Sequence, residues 1–179
     1  MHYGQIFDAD VANGPGFRVS VFVSGCRNHC PGCFQPETWD FNYGKVWNDD
    51  VMRRVVEMLC PGHIRGLTVL GGDPFEPENI FQVTQLMTHV RNAYQNKDIW
   101  VYTGYTYEYL RNIQRYHPSV DQSLVDSMLS CIDVLVDGPF VEAQKDLTLT
   151  FRGSRNQRLI NLRAMRETGN LNEIRLWEE

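Results

Sequence analysis

The sequence lacks long apolar runs, and it also lacks clusters of basic residues. None of its apolar stretches approaches the roughly 20 residues that a membrane-spanning helix needs. Its net charge is −5 and it has no Arg- or Lys-rich arm, whereas a nucleic-acid-binding protein needs a cationic surface. We therefore expect neither a membrane nor a nucleic acid among its partners.

The N-terminus lacks the features of a secretory signal. The segment MHYGQIFDADVANGPGF contains no basic region followed by an apolar one. The five cysteines are odd in number, and three of them fall between Cys26 and Cys33. Such clustering indicates metal binding or redox chemistry rather than a disulfide framework. We expect a reducing compartment, the cytoplasm.

The composition is that of a globular protein. Of the 179 residues, 42% are hydrophobic and 22% are charged, and no repeat occurs. This predicts a single domain over residues 1–179. Apolar, β-branched runs alternate with stretches of helical period, which predicts an α/β fold with a mainly parallel sheet, either open or partly closed as a barrel. The predicted strands are Arg18–Ser24, Leu67–Leu70, Ile99–Thr103, Ile132–Val136, Leu147–Phe151 and Arg158–Leu162.

Helix signals separate these strands. Asn48 is a good N-cap for a first helix, and Pro77 is predicted to open a second. Further helices are expected over Tyr107–Ser130, with a break at His117–Ser119. Near the C-terminus, NEIRLW alternates apolar and polar residues, which predicts a final strand or edge segment.

At the C-terminal end of each of the first four predicted strands lies a stretch of residue types that often form functional sites. These stretches are GCRNHCPGC, GGDP, TGY and DGPF. In parallel α/β folds the C-terminal ends of the strands meet at one face, where loops assemble a site. Gly, Pro and Asp also form ordinary turns after strands. The cysteines of the first stretch favour a single site built from all four loops.

Cys26, Cys30 and Cys33 allow several kinds of site. A thioredoxin-like pair at Cys30 and Cys33 leaves Cys26 unexplained. A structural zinc ion needs a fourth ligand, for which His29, Cys60 or Cys131 are available, but no second CxxC or any HxxxH pair exists. An iron–sulfur cluster is the favoured interpretation, since three thiolates would leave one iron of a [4Fe–4S] cluster open to a substrate.

Six motifs give the chain a resemblance to a known family. CxxxCxxC after the first strand and GG near the end of the second are typical of radical S-adenosylmethionine (SAM) enzymes. Further motifs narrow the resemblance to one family within that superfamily. They are NGPGFR, SGCxxxCPGCF, TVLGGDPF, YTGY, DVLVDGPF and GSRNQR. Together they resemble the activating proteins of anaerobic (class III) ribonucleoside-triphosphate reductases, from about Tyr3 to about Leu162.

The resemblance implies a fold and an activity. It implies a partial (β/α) barrel of the radical-SAM type, of minimal size. It further implies that SAM binds a [4Fe–4S] cluster, that a flavodoxin-type donor supplies one electron, and that SAM is cleaved reductively. A hydrogen atom is then removed from a glycine near the C-terminus of the large reductase subunit, which is the expected partner.

The resemblance also assigns roles to residues. Cys26, Cys30 and Cys33 would be the iron ligands. The expected SAM-binding residues are Gly32, Cys33, Phe34, Gly71, Gly72, Asp73, Thr103 and Asp137. In this sequence the aromatic residue, Phe34, follows the third cysteine instead of preceding it, so backbone contacts are expected there. Asn156, Gln157 and Arg158 are expected either to close the site or to contact the partner, and no protein residue is expected to act as a general base.

Two alternatives and several structural roles complete the expectations. One alternative is the activase of another glycyl-radical enzyme, such as pyruvate formate-lyase. The other is a zinc-binding or thiol-redox interaction module. Cys60 and Cys131 are expected to be buried in the core, and Arg18 either holds a carboxylate or is exposed.

Overall fold

The fold is built on one seven-stranded sheet. A computed structural model describes residues 1–178. The strands, in chain order, are β1 (His2–Asp10), β2 (Phe17–Val23), β3 (Lys45–Val46), β4 (Ile64–Gly71), β5 (Asp98–Tyr102), β6 (Val134–Asp137) and β7 (Arg158–Asn161). Their spatial order is β3-β1-β2-β4-β5-β6-β7.

The centre of the sheet is parallel and its flanks are antiparallel. β2, β4, β5 and β6 pair in parallel, whereas β1 pairs antiparallel with β2 and β3, and β7 pairs antiparallel with β6. The prediction of an α/β fold with a parallel core is confirmed, within a mixed sheet. The parallel strands place the ends of β2, β4, β5 and β6 at one edge, as predicted for a shared site.

Helices cover one face of the sheet. They are α1 (Asp49–Met58), α2 (Ile80–Ala93), α3 (Tyr107–Leu110), α4 (Ile113–Tyr116), α5 (Gln122–Cys131) and α6 (Leu162–Glu167). Alternate strand residues such as Val21 and Val69 are fully buried in the same cluster as Val55 of α1 and Met87 of α2. This alternation follows from the twofold period of a strand, which sends every second side chain to one face.

The opposite face carries a smaller cluster. Trp100, Val134, Val136 and Leu159 form its buried part. No helix residue belongs to it within the described chain; Trp177, from the C-terminal segment, packs edge-on against Trp100 with ring centroids 5.0 Å apart. This face is therefore covered by loops and by the C-terminal segment rather than by helices.

Arg18 is buried on this second face. Its side chain is fully inaccessible, and its guanidinium pairs with the Asp98 carboxylate at 2.6 Å. It also donates to the Thr68 hydroxyl at 2.7 Å and the Leu67 carbonyl at 2.9 Å, and lies 5.5 Å from the centre of a Trp100 ring. Of the two expectations for Arg18, the carboxylate contact is confirmed, and the carboxylate belongs to the chain itself.

Most predicted elements are present. The first helix begins where expected, with the Asn48 side chain accepting a hydrogen bond from the Val51 N–H at 3.0 Å. The second helix begins at Ile80, so the prediction that Pro77 opens it is wrong. The Asn79 side chain donates to the carbonyls of Ser24 and Asp73. These bonds hold the preceding segment in turns.

The predicted strand Leu147–Phe151 is wrong. These residues form turns instead. The Asp146 carboxylate accepts from both the backbone N–H and the hydroxyl of Thr148, at 3.0 and 2.7 Å, and Phe151 adopts φ +56°. An Asx turn and a left-handed residue thus override the β propensity of the segment.

Three elements were not predicted from the sequence, and one predicted edge segment is present. The strands β1 and β3 and the helix α6 are absent from the sequence predictions. The segment NEIRLW is confirmed as an edge segment, because Leu176 bridges Ile160 of β7 in antiparallel fashion. No helix within residues 1–178 has the length and apolar character needed to cross a membrane.

Candidate functional site

The three clustered cysteines lie on one loop after β2. We call Ser24–Phe34 the cysteine loop. Gly25 turns the chain with φ +100°, its N–H donates to the Thr38 carbonyl at 2.8 Å, and a Cβ on it would lie 2.3 Å from the Phe41 ring. Glycine is therefore required there by conformation and by packing. All three cysteines are free and partly exposed: Cys26, Cys30 and Cys33.

The surroundings of Cys26 and Cys30 disfavour their thiolate forms. Burial, followed by the nearby Asp73 charge, raises the pKa of Cys26 to about 11, and burial also raises the pKa of Cys30. Within residues 1–178, no three His, Cys, Asp or Glu side chains are gathered into a ready metal-binding group. Binding of a metal by these thiols would thus release protons and draw the loop together.

The end of β4 packs directly on the cysteine loop. The Gly72 N–H donates to the Val23 carbonyl and the Asp73 N–H donates to the Gly25 carbonyl, both at 2.7 Å. A Cβ on Gly72 would lie 2.4 Å from the Gly25 oxygen, and Gly71 has φ +105°. The two glycines of GGDP thus bring the backbones of two strand ends into contact.

The Asp73 carboxylate joins three loops. It is 1% exposed and accepts from the Thr103 hydroxyl at 2.9 Å, the Gly104 N–H at 2.9 Å and the Phe75 N–H at 3.0 Å. The side-chain amide of Asn28 donates to it at 3.1 Å. Burial raises the pKa of Asp73 to about 7, against the effect of these donors.

A second carboxylate fixes the start of the cysteine loop. Glu76 is fully buried, accepts from the Arg27 backbone N–H at 2.7 Å and pairs with the Arg27 guanidinium. That guanidinium also pairs with Glu78 and lies 4.4 Å from the centre of the Phe41 ring. The Tyr105 hydroxyl donates to Glu76 at 3.3 Å.

The second half of the cysteine loop packs on the segment after β6. The ring of Phe34 lies 5.2 Å from that of Phe140, centroid to centroid. A Cβ on Gly153 would lie 2.9 Å from the Phe34 ring and 3.1 Å from the Phe140 ring. DGPF and GSRNQR therefore adjoin the cysteine loop.

GSRNQR holds the loop of DGPF in place. The Gln157 side-chain oxygen accepts from the Gly153 N–H at 2.9 Å, and its amide donates to the Gly138 carbonyl at 3.1 Å. The Asn156 amide donates to the Pro139 carbonyl at 2.8 Å. Both side chains are partly buried, so they stabilise the site from within the chain.

Asp137 and Arg158 form an ion pair across the sheet edge. The Arg158 guanidinium donates to both Asp137 oxygens, at 2.9 and 2.5 Å, and pairs with Glu108 at 2.8 Å. The Tyr107 N–H donates to Asp137 at 2.7 Å, at the start of α3. The carboxylate of Asp137, which is 1% exposed, is thus engaged by its own chain.

His29 stacks on an aromatic ring outside the cysteine loop. Its imidazole lies 4.7 Å from the Trp39 ring at an interplanar angle of 25°, and His29 adopts φ +43°. The Trp39 carbonyl accepts from the Cys26 N–H at 3.2 Å. His29 therefore fills and orients the loop.

The structure brings the predicted strand-end residues to one edge of the sheet. Gly32 (φ +72°) and Phe34 are exposed, whereas Asp73, Thr103 and Asp137 are buried and bonded within the chain. Whether these residues and Cys33, Gly71 and Gly72 bind a cofactor stays a prediction. Cys60 is exposed, so its predicted place in the core is wrong, and Cys131 packs half-buried against the core.

Sequence reasoning missed three residues of the site. Asn28, Glu76 and Trp39 contact the cysteine loop or belong to it, yet none stands out by residue type. Arg27-Asn28 between two cysteines, and an acidic residue three positions after Asp73, were the available signals. Only the tertiary structure shows that they meet.

Comparison with known proteins gives the chain a family. A family profile described as "4Fe-4S single cluster domain" matches residues 12–160. An anaerobic ribonucleoside-triphosphate reductase-activating protein of Vibrio cholerae is 40% identical over 159 residues, which cover 88% of this chain and 96% of the relative. The chain belongs to the anaerobic ribonucleoside-triphosphate reductase-activating protein family. The resemblance stated from the motifs is thereby confirmed.

Other members of the family show a similar extent of likeness. The anaerobic ribonucleoside-triphosphate reductase-activating protein of Escherichia coli strain K12 is 37% identical over 165 residues, covering 91% of this chain and all of the relative. The protein of that name in Enterobacteria phage T4 is 35% identical over 159 residues, covering 89% and 93%. Both matches extend over most of each chain, as does that to the four-iron cluster profile.

Proposed function

We propose that the chain activates anaerobic ribonucleoside-triphosphate reductase by cleaving SAM reductively at a [4Fe–4S] cluster. The observation that carries the proposal is the cysteine loop. It presents three free thiols at the edge where four parallel strands end, in a chain of the reductase-activating family. When bound, the cluster and SAM supply the radical that removes a hydrogen atom from a glycine of the reductase.

The donor set of the cysteine loop fits an iron–sulfur cluster. Thiolates are the usual ligands of such clusters, and Cys26, Cys30 and Cys33 are the three that one loop offers. Gly25 lets the loop leave β2 in a conformation that other residues rarely adopt. Three ligands leave one iron available to a substrate, and no nearby side chain is proposed as a fourth.

We propose that SAM contacts the exposed backbone from Gly32 to Phe34. Support comes from their exposure beside the three thiols. Gly71, Gly72 and Asp73 are proposed to border the methionine end, with Thr103 and Asp137 behind them. The side chains of Asp73, Thr103 and Asp137 already form hydrogen bonds within the chain. We therefore propose that they act on SAM mainly by fixing the loops around it.

The remaining parts of the proposal concern partners and context. The proposed partner is the large reductase subunit, and Asn156, Gln157 and Arg158 are proposed to contact it because they are partly exposed beside the cysteine loop. A flavodoxin-type protein is proposed as the electron donor and the cytoplasm as the compartment. The sheet is proposed to be a minimal form of the radical-SAM partial barrel.

Anaerobic reconstitution tests the proposal. The protein incubated with iron and sulfide should bind about four irons and, with dithionite, convert SAM to methionine and 5′-deoxyadenosine. Replacing Cys26, Cys30 or Cys33 by Ala should abolish iron binding, whereas Cys60→Ala and Cys131→Ala serve as matched controls that retain it. A colourless protein holding one zinc ion and inert to SAM would refute the proposal.

The partner requires a separate measurement. The reconstituted protein, SAM, dithionite and the reductase should together produce a glycyl radical signal in electron paramagnetic resonance. Cleavage of SAM without that signal would indicate a different glycyl-radical enzyme as the target.

A further inference from the structure

Asn28 stands between a cysteine sulfur and a buried carboxylate. Its side-chain nitrogen lies 3.7 Å from the Cys26 sulfur and 3.1 Å from an Asp73 oxygen, as a hydrogen-bond donor to both. A carboxamide nitrogen carries two hydrogens, so one can serve each acceptor. We propose that Asn28 is a positioning residue that directs an N–H at the Cys26 sulfur and ties that sulfur to Asp73.

The orientation of the Asn28 amide is determined by its surroundings. The Asp73 carboxylate is fixed by Thr103, Gly104 and Phe75, and it can only accept when ionised. In the proposed cluster-bound state the Cys26 sulfur is a thiolate, so the sulfur and the ionised Asp73 carboxylate can both only accept; if the amide were turned over, its oxygen would face two acceptors. The nitrogen therefore points toward the Cys26 sulfur.

Gly104 provides the space that this arrangement needs. A Cβ on Gly104 would lie 2.3 Å from the Asn28 side-chain nitrogen and 2.7 Å from its amide carbon. The φ angle of Gly104 lies outside the left-handed region. Glycine is therefore needed there because a side chain would collide with Asn28, and not because of the backbone conformation. The glycine of the TGY motif thereby receives a role: it lets the Asn28 amide lie against the end of β5.

The expected consequence lies in the reduction potential. This inference rests on the proposed function, in which Cys26 is a cluster ligand. Hydrogen bonds to cysteine sulfurs spread the negative charge of an iron–sulfur cluster, and they stabilise its reduced state. Loss of the Asn28 donor should make the cluster harder to reduce. Asn28 acts through Cys26 and is not proposed to touch SAM.

The test compares three variants of the full-length, reconstituted protein. Asn28→Leu removes the donor with little change in size, Gly104→Ala displaces the amide, and Asn112→Leu makes the same chemical change on an exposed part of the chain. Iron content and a redox titration followed by electron paramagnetic resonance are measured for each. N28L and G104A should shift the potential to more negative values, and N112L should match the wild type.

Each result decides the inference. N28L with full iron content and an unchanged potential overturns it. If N28L loses iron while its far-ultraviolet circular dichroism is retained, Asn28→Ser decides, because it keeps a donor near the sulfur: recovery of the cluster supports the inference and equal loss overturns it. A wild-type protein without any cluster would refute the proposed function as well, whereas an unaltered N28L potential refutes only the role of Asn28.

Discussion

Single residues far from the cysteine loop hold the sheet together, and Arg18 is the clearest of them. Its charge is buried and is compensated by Asp98, Thr68 and the Leu67 carbonyl. A buried ion pair contributes little compared with an apolar pair, but removing one partner leaves the other charge without compensation. Replacing Arg18 should therefore destabilise the fold strongly.

Arg18→Leu should lower the free energy of unfolding by roughly 3–5 kcal/mol. Among residues 1–178, the Asp98 carboxylate would keep its ion pair with Arg65, whose side chain is 63% exposed, but would lose the buried charge of Arg18. Urea unfolding followed by circular dichroism measures the change. Arg53→Leu is the matched control, because Arg53 is 70% exposed and its ion pair with Asp50 lies on the surface; its effect should stay within about 0.5 kcal/mol. Equal effects of the two changes would contradict the assignment.

Sequence and structure agree best where a residue is fixed by its local motif. Cys26, Asp73 and Thr103 are identifiable because each lies within three residues of the C-terminal end of a strand. Asn28 is different, since its partners lie 45 positions further along the chain, at Asp73, and at Gly104. Their proximity depends on parallel pairing between β2, β4 and β5, so no local pattern could have predicted it.

At the scale of elements, the C-terminal segment serves as an extra edge strand. The Asn161 N–H donates to the Arg175 carbonyl and the Trp177 N–H donates to the Leu159 carbonyl, both at 2.7 Å. Trp177 at the same time covers Trp100. The segment thus shields the β7 edge and the helix-free face together.

Trp177→Ala should reduce the free energy of unfolding by about 2 kcal/mol, since the ring is partly buried against two aromatic residues. Trp100 and Phe151 would lose their edge-on partner. Leu176→Ala is the control from the same segment, because Leu176 is 57% exposed, and about 0.5 kcal/mol or less is expected. Urea unfolding of both variants decides; a larger loss for Leu176→Ala would be evidence against the packing role.

Element types were predictable where one signal dominated. The apolar strands and the capped α1 follow from periodicity and an N-cap. Leu147–Phe151 has the residues of a strand, but the Asp146 turn and the bridge between Lys145 and Ser154 decide its conformation. β1 is mostly half-exposed and weakly alternating, so its place in the sheet depends on pairing with β2.

At the scale of the whole molecule, the core and the cysteine loop are separate. No residue from Cys26 to Phe34 belongs to either buried cluster. The apolar core, which spans both faces of the sheet, is therefore complete without the loop. This differs from small zinc-binding domains, which unfold when the metal is removed.

Removal of iron with a chelator under anaerobic conditions should leave the fold intact. The far-ultraviolet circular dichroism spectrum should be retained, while the visible absorbance of the cluster disappears. Amide hydrogen exchange should rise in the cysteine loop and stay unchanged in β4 and β5, because core strands open only with global unfolding. Cooperative loss of secondary structure on chelation would contradict this separation.

The stacking of His29 on Trp39 gives the protein a built-in optical reporter. Iron–sulfur clusters absorb in the range where tryptophan emits, so a fluorophore beside the cysteine loop would be dimmed whenever the thiols hold iron. The chain has three further tryptophans, Trp47, Trp100 and Trp177, so the share of the quenching that belongs to Trp39 is the share that disappears on its replacement. Loading of the site could thus be followed by fluorescence in intact protein, with Trp39→Phe as the blank and without any added dye.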